Sequence, residues 1–127
     1  MPAHEYLNNK QLSLFLPARE LMNYTSGHTE GYGTDYSLLS KSPNVYKQKL
    51  QQSKQPPSGY YFGKQHKGGE SLYDSIKQEG VKTPVTLRFR NKENDIQIDD
   101  GHHRIVSAHD IDPNMEIPVR YKAPLER

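Results

Sequence analysis

Apolar residues come in short, separated bursts along this chain, and their spacing predicts the elements. Leu12-Ser13-Leu14-Phe15-Leu16 reads as a first buried strand, and Pro17-Ala18-Arg19-Glu20-Leu21-Met22 as a short helix with proline near its first position. Little is apolar from there to Leu38-Leu39. Ser42-Pro43 then reads as the cap and first residue of a helix running to about Ser53, with Val45 and Lys49, and Tyr46 and Leu50, spaced by four. Ser71 is placed to cap a helix over Leu72 to Glu79, in which Leu72 and Ile76 share a face and Gly80 is the stop. Val85-Thr86-Leu87-Arg88-Phe89-Arg90 alternates strictly, with Val85, Leu87 and Phe89 inward and Thr86, Arg88 and Arg90 outward. Asn91 to Asn94 makes a turn, and Asp95 to Asp99 returns as a second hairpin strand with Ile96 and Ile98 inward. A helix-like segment from about His103 to about His109 stops before Asp112-Pro113, and Ile117 to Tyr121 forms a last strand. There is no internal repeat and no heptad.

Composition narrows the class. A chain of 127 residues is expected to form one domain, with residues 1–11 as a polar arm. Only 32% of residues are apolar, tryptophan is absent and nine of the twelve aromatics are tyrosine, so the core is small, and either long polar loops or a stabilising ligand or partner is expected. Seventeen basic against fifteen acidic side chains leave +2, too balanced to point to nucleic acid. The absence of cysteine excludes disulfides and a thiolate zinc site, and suits a cytoplasmic protein. Met1 to Lys10 has no apolar signal core, and no apolar run approaches the ~18 residues of a membrane helix, so neither secretion nor a membrane span is expected. The polar stretches 24–42 and 54–69 are long for a small domain, which marks them as candidates for function. Within the second, Tyr60-Tyr61-Phe62 reads either as a plug over the core or, with Lys64, His66 and Lys67 beside it, as a stacking surface.

The chemistry gathers in Asp99-Asp100-Gly101-His102-His103-Arg104, where a strand passes through a glycine into a helix. A helix start leaves backbone N–H groups unpaired, which suits an anion and phosphate above all. Gly101 permits the turn and a close approach of ligand to backbone, and Arg104 adds a planar fork of donors. Alternation points Asp99 outward, which leaves Asp100 as the better candidate Mg²⁺ ligand, in the usual arrangement of one or two carboxylates plus phosphates. Adjacent histidines at a helix start make a poor transition-metal set, and His109 reads as a cation at a helix end. Tyr73, Lys77 and Lys82 read as a solvated helix face.

Three segments together resemble the ParB N-terminal-like domain of the ParB/sulfiredoxin superfamily. They are Ser75-Ile76 through Gly80-Val81-Lys82-Thr83-Pro84-Val85, then Gly101-His102-His103-Arg104 with Ser107-Ala108, then Ile117-Pro118-Val119. The match covers about residues 70–121. The resemblance implies an α+β fold: a small mixed β-sheet of about four strands with helices packed on one side. It implies that Gly101, His102, His103 and Arg104 hold the phosphates of a nucleotide (ATP, ADP or CTP), with Thr83, in the place where the family often has glutamine, as a further contact. His102 stands where sulfiredoxins carry the catalytic cysteine, so that chemistry is excluded. CTP-binding relatives read Gly-Glu-Arg-Arg, from which His102 and His103 depart. Asp100-Gly101-His102-His103-Arg104 is also similar to the Asp-Gly-His-Thr-Arg of ADP-dependent free serine kinases. That likeness implies a catalytic set of Asp100, His102 and His103, with Glu20 as a further acid after the first strand.

These readings define two expectations. The first is a stand-alone ParB-like domain of phage or mobile-element type that binds a nucleotide or other phosphate at the turn, with phosphatase, kinase or nuclease activity. The second is a non-catalytic module that binds a host protein through loops 24–42 and 54–69, or a DNA-binding accessory protein using Lys41, Lys47, Lys49, Lys54, Lys64 and Lys67. No helix-turn-helix pattern follows the domain in this sequence, which argues against partitioning as such.

Overall fold

Val85 and Leu87 are fully buried while Thr86 and Arg88 between them are half-exposed, as alternation requires of a strand covered on one face. The structure, a computed structural model, describes residues 14–26, 38–55, 70–90 and 95–122. The polar arm, the Tyr60-Tyr61-Phe62 cluster with its basic neighbours, and the Asn91 to Asn94 turn lie outside the described residues, as do the side chains of Phe89 and Arg90.

In chain order the elements are β1 (Leu14–Pro17), α1 (Ala18–Leu21), β2 (Thr25–Ser26), a 3₁₀ turn (Leu39–Lys41), α2 (Pro43–Ser53), α3 (Leu72–Glu79), β3 (Val85–Arg90), β4 (Asp95–Asp100), α4 (His102–Ile111) and β5 (Glu116–Lys122). The sheet is mixed, with strand order β1-β5-β3-β4-β2. β1 pairs antiparallel with β5 and β3 antiparallel with β4, while β3 and β5, and β2 and β4, run parallel. The fold is α+β, with five strands rather than about four. The added strand is the two-residue β2, whose Thr25 opposes Gln97 and whose Ser26 opposes Ile98. Two polar residues carry no alternation, so only pairing with β4 identifies them.

The helices lie on one face, around α4. Ile105, Val106 and Ala108 of α4 are fully buried with Ile98, Ile117, Leu21, Leu72 and Ile76. Phe15 is the one large exposed apolar side chain among the described residues, at 52%. Two helix ends follow local chemistry. Ser71 Oγ accepts from Asp74 N (3.1 Å), and Gly80, at φ +76°, ends α3. Ser42 departs from expectation: its hydroxyl donates backward to the Leu38 carbonyl (2.9 Å) instead of capping α2, and so holds the 3₁₀ turn. Tyr73 also departs from the expected solvated face. Its hydroxyl donates to Asp110 Oδ2 (2.7 Å), and Lys54 Nζ lies 4.8 Å from its ring centre, so it joins α3, α4 and the end of α2.

Candidate functional site

β4 reaches its glycine through a break in register. Leu87 opposes Ile98, but Thr86 opposes Asp100, so Asp99 is an extra residue, a β-bulge. The bulge places the two adjacent aspartates in different surroundings. Asp99 meets Arg88 Nε (3.4 Å) and Lys122 Nζ (3.0 Å). Burial raises its carboxyl pKa, but hydrogen bonds from Arg88 and Lys122 outweigh this and hold it below the ordinary carboxylate value. Asp100 stands at the mouth of the turn with its carboxylate 75% exposed.

Gly101 caps α4 with φ +111° and ψ +17°. Its surroundings exclude any side chain: a Cβ here would lie 2.5 Å from Val85 Cγ1 and 3.0 Å from Arg104 Nη2. The bare backbone therefore sits directly on buried β3, leaving the first N–H groups of α4 at the turn. Below it lies Arg104, whose side chain is only 4% exposed. Its Nη2 donates to the Pro84 carbonyl (3.2 Å) and is 3.5 Å from Asp100 Oδ2. Burial lowers the arginine pKa and Asp100 opposes that shift, so the guanidinium remains a buried cation in the floor of the turn.

The other predicted residues divide. His103 is half-buried, and its Nε2–H donates to Gln52 Oε1 (2.7 Å) at the end of α2. Ser53, fully buried, donates to the Lys49 carbonyl and lies 3.5 Å from the His103 carbonyl. Gln52 and Ser53 are site neighbours that sequence reasoning missed, since nothing in the sequence aligns the end of α2 with the start of α4. His102, 1% exposed, belongs to the interior rather than to the mouth. Thr83 is half-buried and directly precedes Pro84, so Arg104 brings its segment to the turn.

Glu20 is elsewhere. Its carboxylate accepts from Tyr24 OH (3.1 Å), and burial, followed by Glu20, raises the pKa of that tyrosine. Ala18 N and Arg19 N bond to the Met115 and Pro113 carbonyls, so α1 sits beyond the C-terminal end of α4. The turn is at the other end, roughly 15 Å of helix away at 1.5 Å per residue. His109 also sits in the last turn of α4, with Nδ1 2.9 Å from Tyr46 OH.

Among the described residues no three histidine, aspartate or glutamate side chains converge as metal ligands would. Asp100 alone offers an accessible carboxylate at the turn, which suits Mg²⁺ only if a ligand's phosphates complete the shell. Among the described residues, no helix is long and apolar enough to cross a membrane.

No family model and no curated protein matches the chain. Among solved structures it is similar to the C-terminally truncated chromosome-partitioning protein ParB from Caulobacter crescentus complexed with CTP-gamma-S. Identity is 16% and the TM-score 0.48, over 91% of this chain and 46% of that one. The chain thus spans less than half the length of that ParB. It is also similar to sulfiredoxin from Arabidopsis thaliana, at 15% identity and a TM-score of 0.42, over 88% of this chain and 85% of that one.

Proposed function

We propose that this domain binds a phosphate-bearing ligand, a nucleotide foremost, at Asp100 to Arg104. One observation carries the reading: a glycine packed too tightly against Val85 for any side chain sets the start of α4 directly above a buried arginine. A helix N-terminus and a guanidinium both favour negative charge, and the packing holds both in place before a ligand arrives. Gly101 sets the turn, Arg104 supplies the charge, and His103, steadied by Gln52, and Thr83 flank the seat. Mg²⁺ would arrive with the phosphates, meet the protein through Asp100 and neutralise phosphate charge. Phosphoryl transfer or hydrolysis at this seat would require little more than positioning and charge stabilisation.

The test is calorimetry with ATP, ADP, CTP and GTP, with and without Mg²⁺, on the parent and on Arg104→Lys, which keeps a cation in the floor but loses the fork. Arg104→Lys is expected to weaken binding about tenfold. If the folded parent binds no nucleotide and no inorganic phosphate, the reading is wrong.

A further inference from the structure

Asp100 and Arg104 form an unequal pair. The arginine side chain is 4% exposed and is also held by the Pro84 carbonyl; the carboxylate 3.5 Å away is 75% exposed. Among the described residues that carboxylate has no other polar partner. The floor of the turn is thus fixed, while its counter-charge sits on a short side chain free to rotate into solvent.

We infer that Asp100 is a built-in competitor for the anion: without ligand its carboxylate stands over the Arg104 cation, and an incoming phosphate displaces it. This rests on reading the turn as an anion seat. The start of α4 and Arg104 are positive, and among the described residues Asp100 is the carboxylate beside that arginine. In the absence of a metal ion it repels a phosphate and neutralises the cation that phosphate would meet. The exposed carboxylate regains its hydration when displaced, and the phosphate takes its place as the counter-charge of the buried Arg104 cation. A carboxylate that instead bound the ligand, through its own contacts or as an acid, would give a variant effect of opposite sign.

The experiment is calorimetry of inorganic pyrophosphate and of ADP, with a chelator to remove divalent ions. The proteins are the parent, Asp100→Asn, Asp100→Ser and Asp100→Glu, each followed also by thermal melting. Both neutral variants are expected to bind about three- to fivefold more tightly than the parent, and to show the larger rise in Tm on adding ligand. Asp100→Glu, which keeps the charge, is expected to stay near parental affinity. A parent that binds, with neutral variants that bind equally or more weakly, overturns the inference and leaves the anion seat standing. If neither the parent nor any variant binds, the seat itself is wrong and the competitor with it.

Discussion

Arg104 reaches from the first turn of α4 to the carbonyl oxygen of Pro84, 3.2 Å away, and so joins the connection before β3 to the connection after β4. Arg104 and Pro84 lie 20 residues apart in sequence, and the two links carry Thr83 and Gly101. The arginine is therefore a structural strut as well as the charge of the proposed seat, and a buried cation tied to a backbone carbonyl holds its position without a ligand.

Gly101→Ala is expected to destabilise the fold by about 2–4 kcal/mol, the sum of a left-handed backbone for a residue with a side chain and overpacking against Val85. Urea unfolding checks this: the midpoint should fall with little change in m.

Asp99→Asn is expected to cost about 1 kcal/mol near neutrality, because Arg88 and Lys122 lose their shared carboxylate. The folded carboxyl pKa lies below its ordinary value of 3.8, so this stability is present above about pH 4 and lost as pH falls through the folded value. Denaturant melts of parent and variant should therefore differ by a constant amount at neutral pH and converge in acid.

Tyr73→Phe is expected to cost about 0.5–1 kcal/mol by removing the hydrogen bond to Asp110. That bond first, then burial and the Asp110 charge, push the phenol from its ordinary value near 10 up to about 12. The contribution is therefore present below pH 10 and disappears between 10 and about 12. Stability profiles of parent and variant should converge across that window, and the variant should lose the part of the tyrosinate absorbance that titrates near 12.

Ser71→Ala is expected to cost about 1 kcal/mol through loss of the cap on α3, with Ser71→Asp close to parental. Ser42→Ala serves as a contrast. Its hydroxyl caps no helix N–H, so hydrogen exchange after substitution should rise around Leu38 to Lys41 rather than through α2.

Much of the architecture was legible because it depends on local rules. Alternation at Val85 to Arg88 and at Ile96 to Ile98 fixed the hairpin and its buried face, and Ser71 with Gly80 bounded α3 to the residue. β2 was not legible, since two polar residues become a strand only by pairing with β4. Of the candidate site, the Asp100 to Arg104 turn was visible as a strand-glycine-helix junction. The separation of Glu20 from it was not, nor was the burial of His102, because both depend on how α4 packs.

The sequence by itself determined where four of the five strands and the main helices lie, that the chain turns at Gly101, and which residue types crowd that turn, because periodicity, caps and glycine conformation act over a few residues. Only the tertiary structure decided what those residues do. It took the bulge at Asp99 to send one aspartate to Arg88 and Lys122 and the other to the turn, and the packing of Gly101 on Val85 to exclude a side chain. It took the Pro84 carbonyl, distant in sequence, to draw Arg104 inward, and the end of α2 to bring Gln52 to His103. Burial and counter-charge depend on distant segments meeting, and no local pattern encodes them.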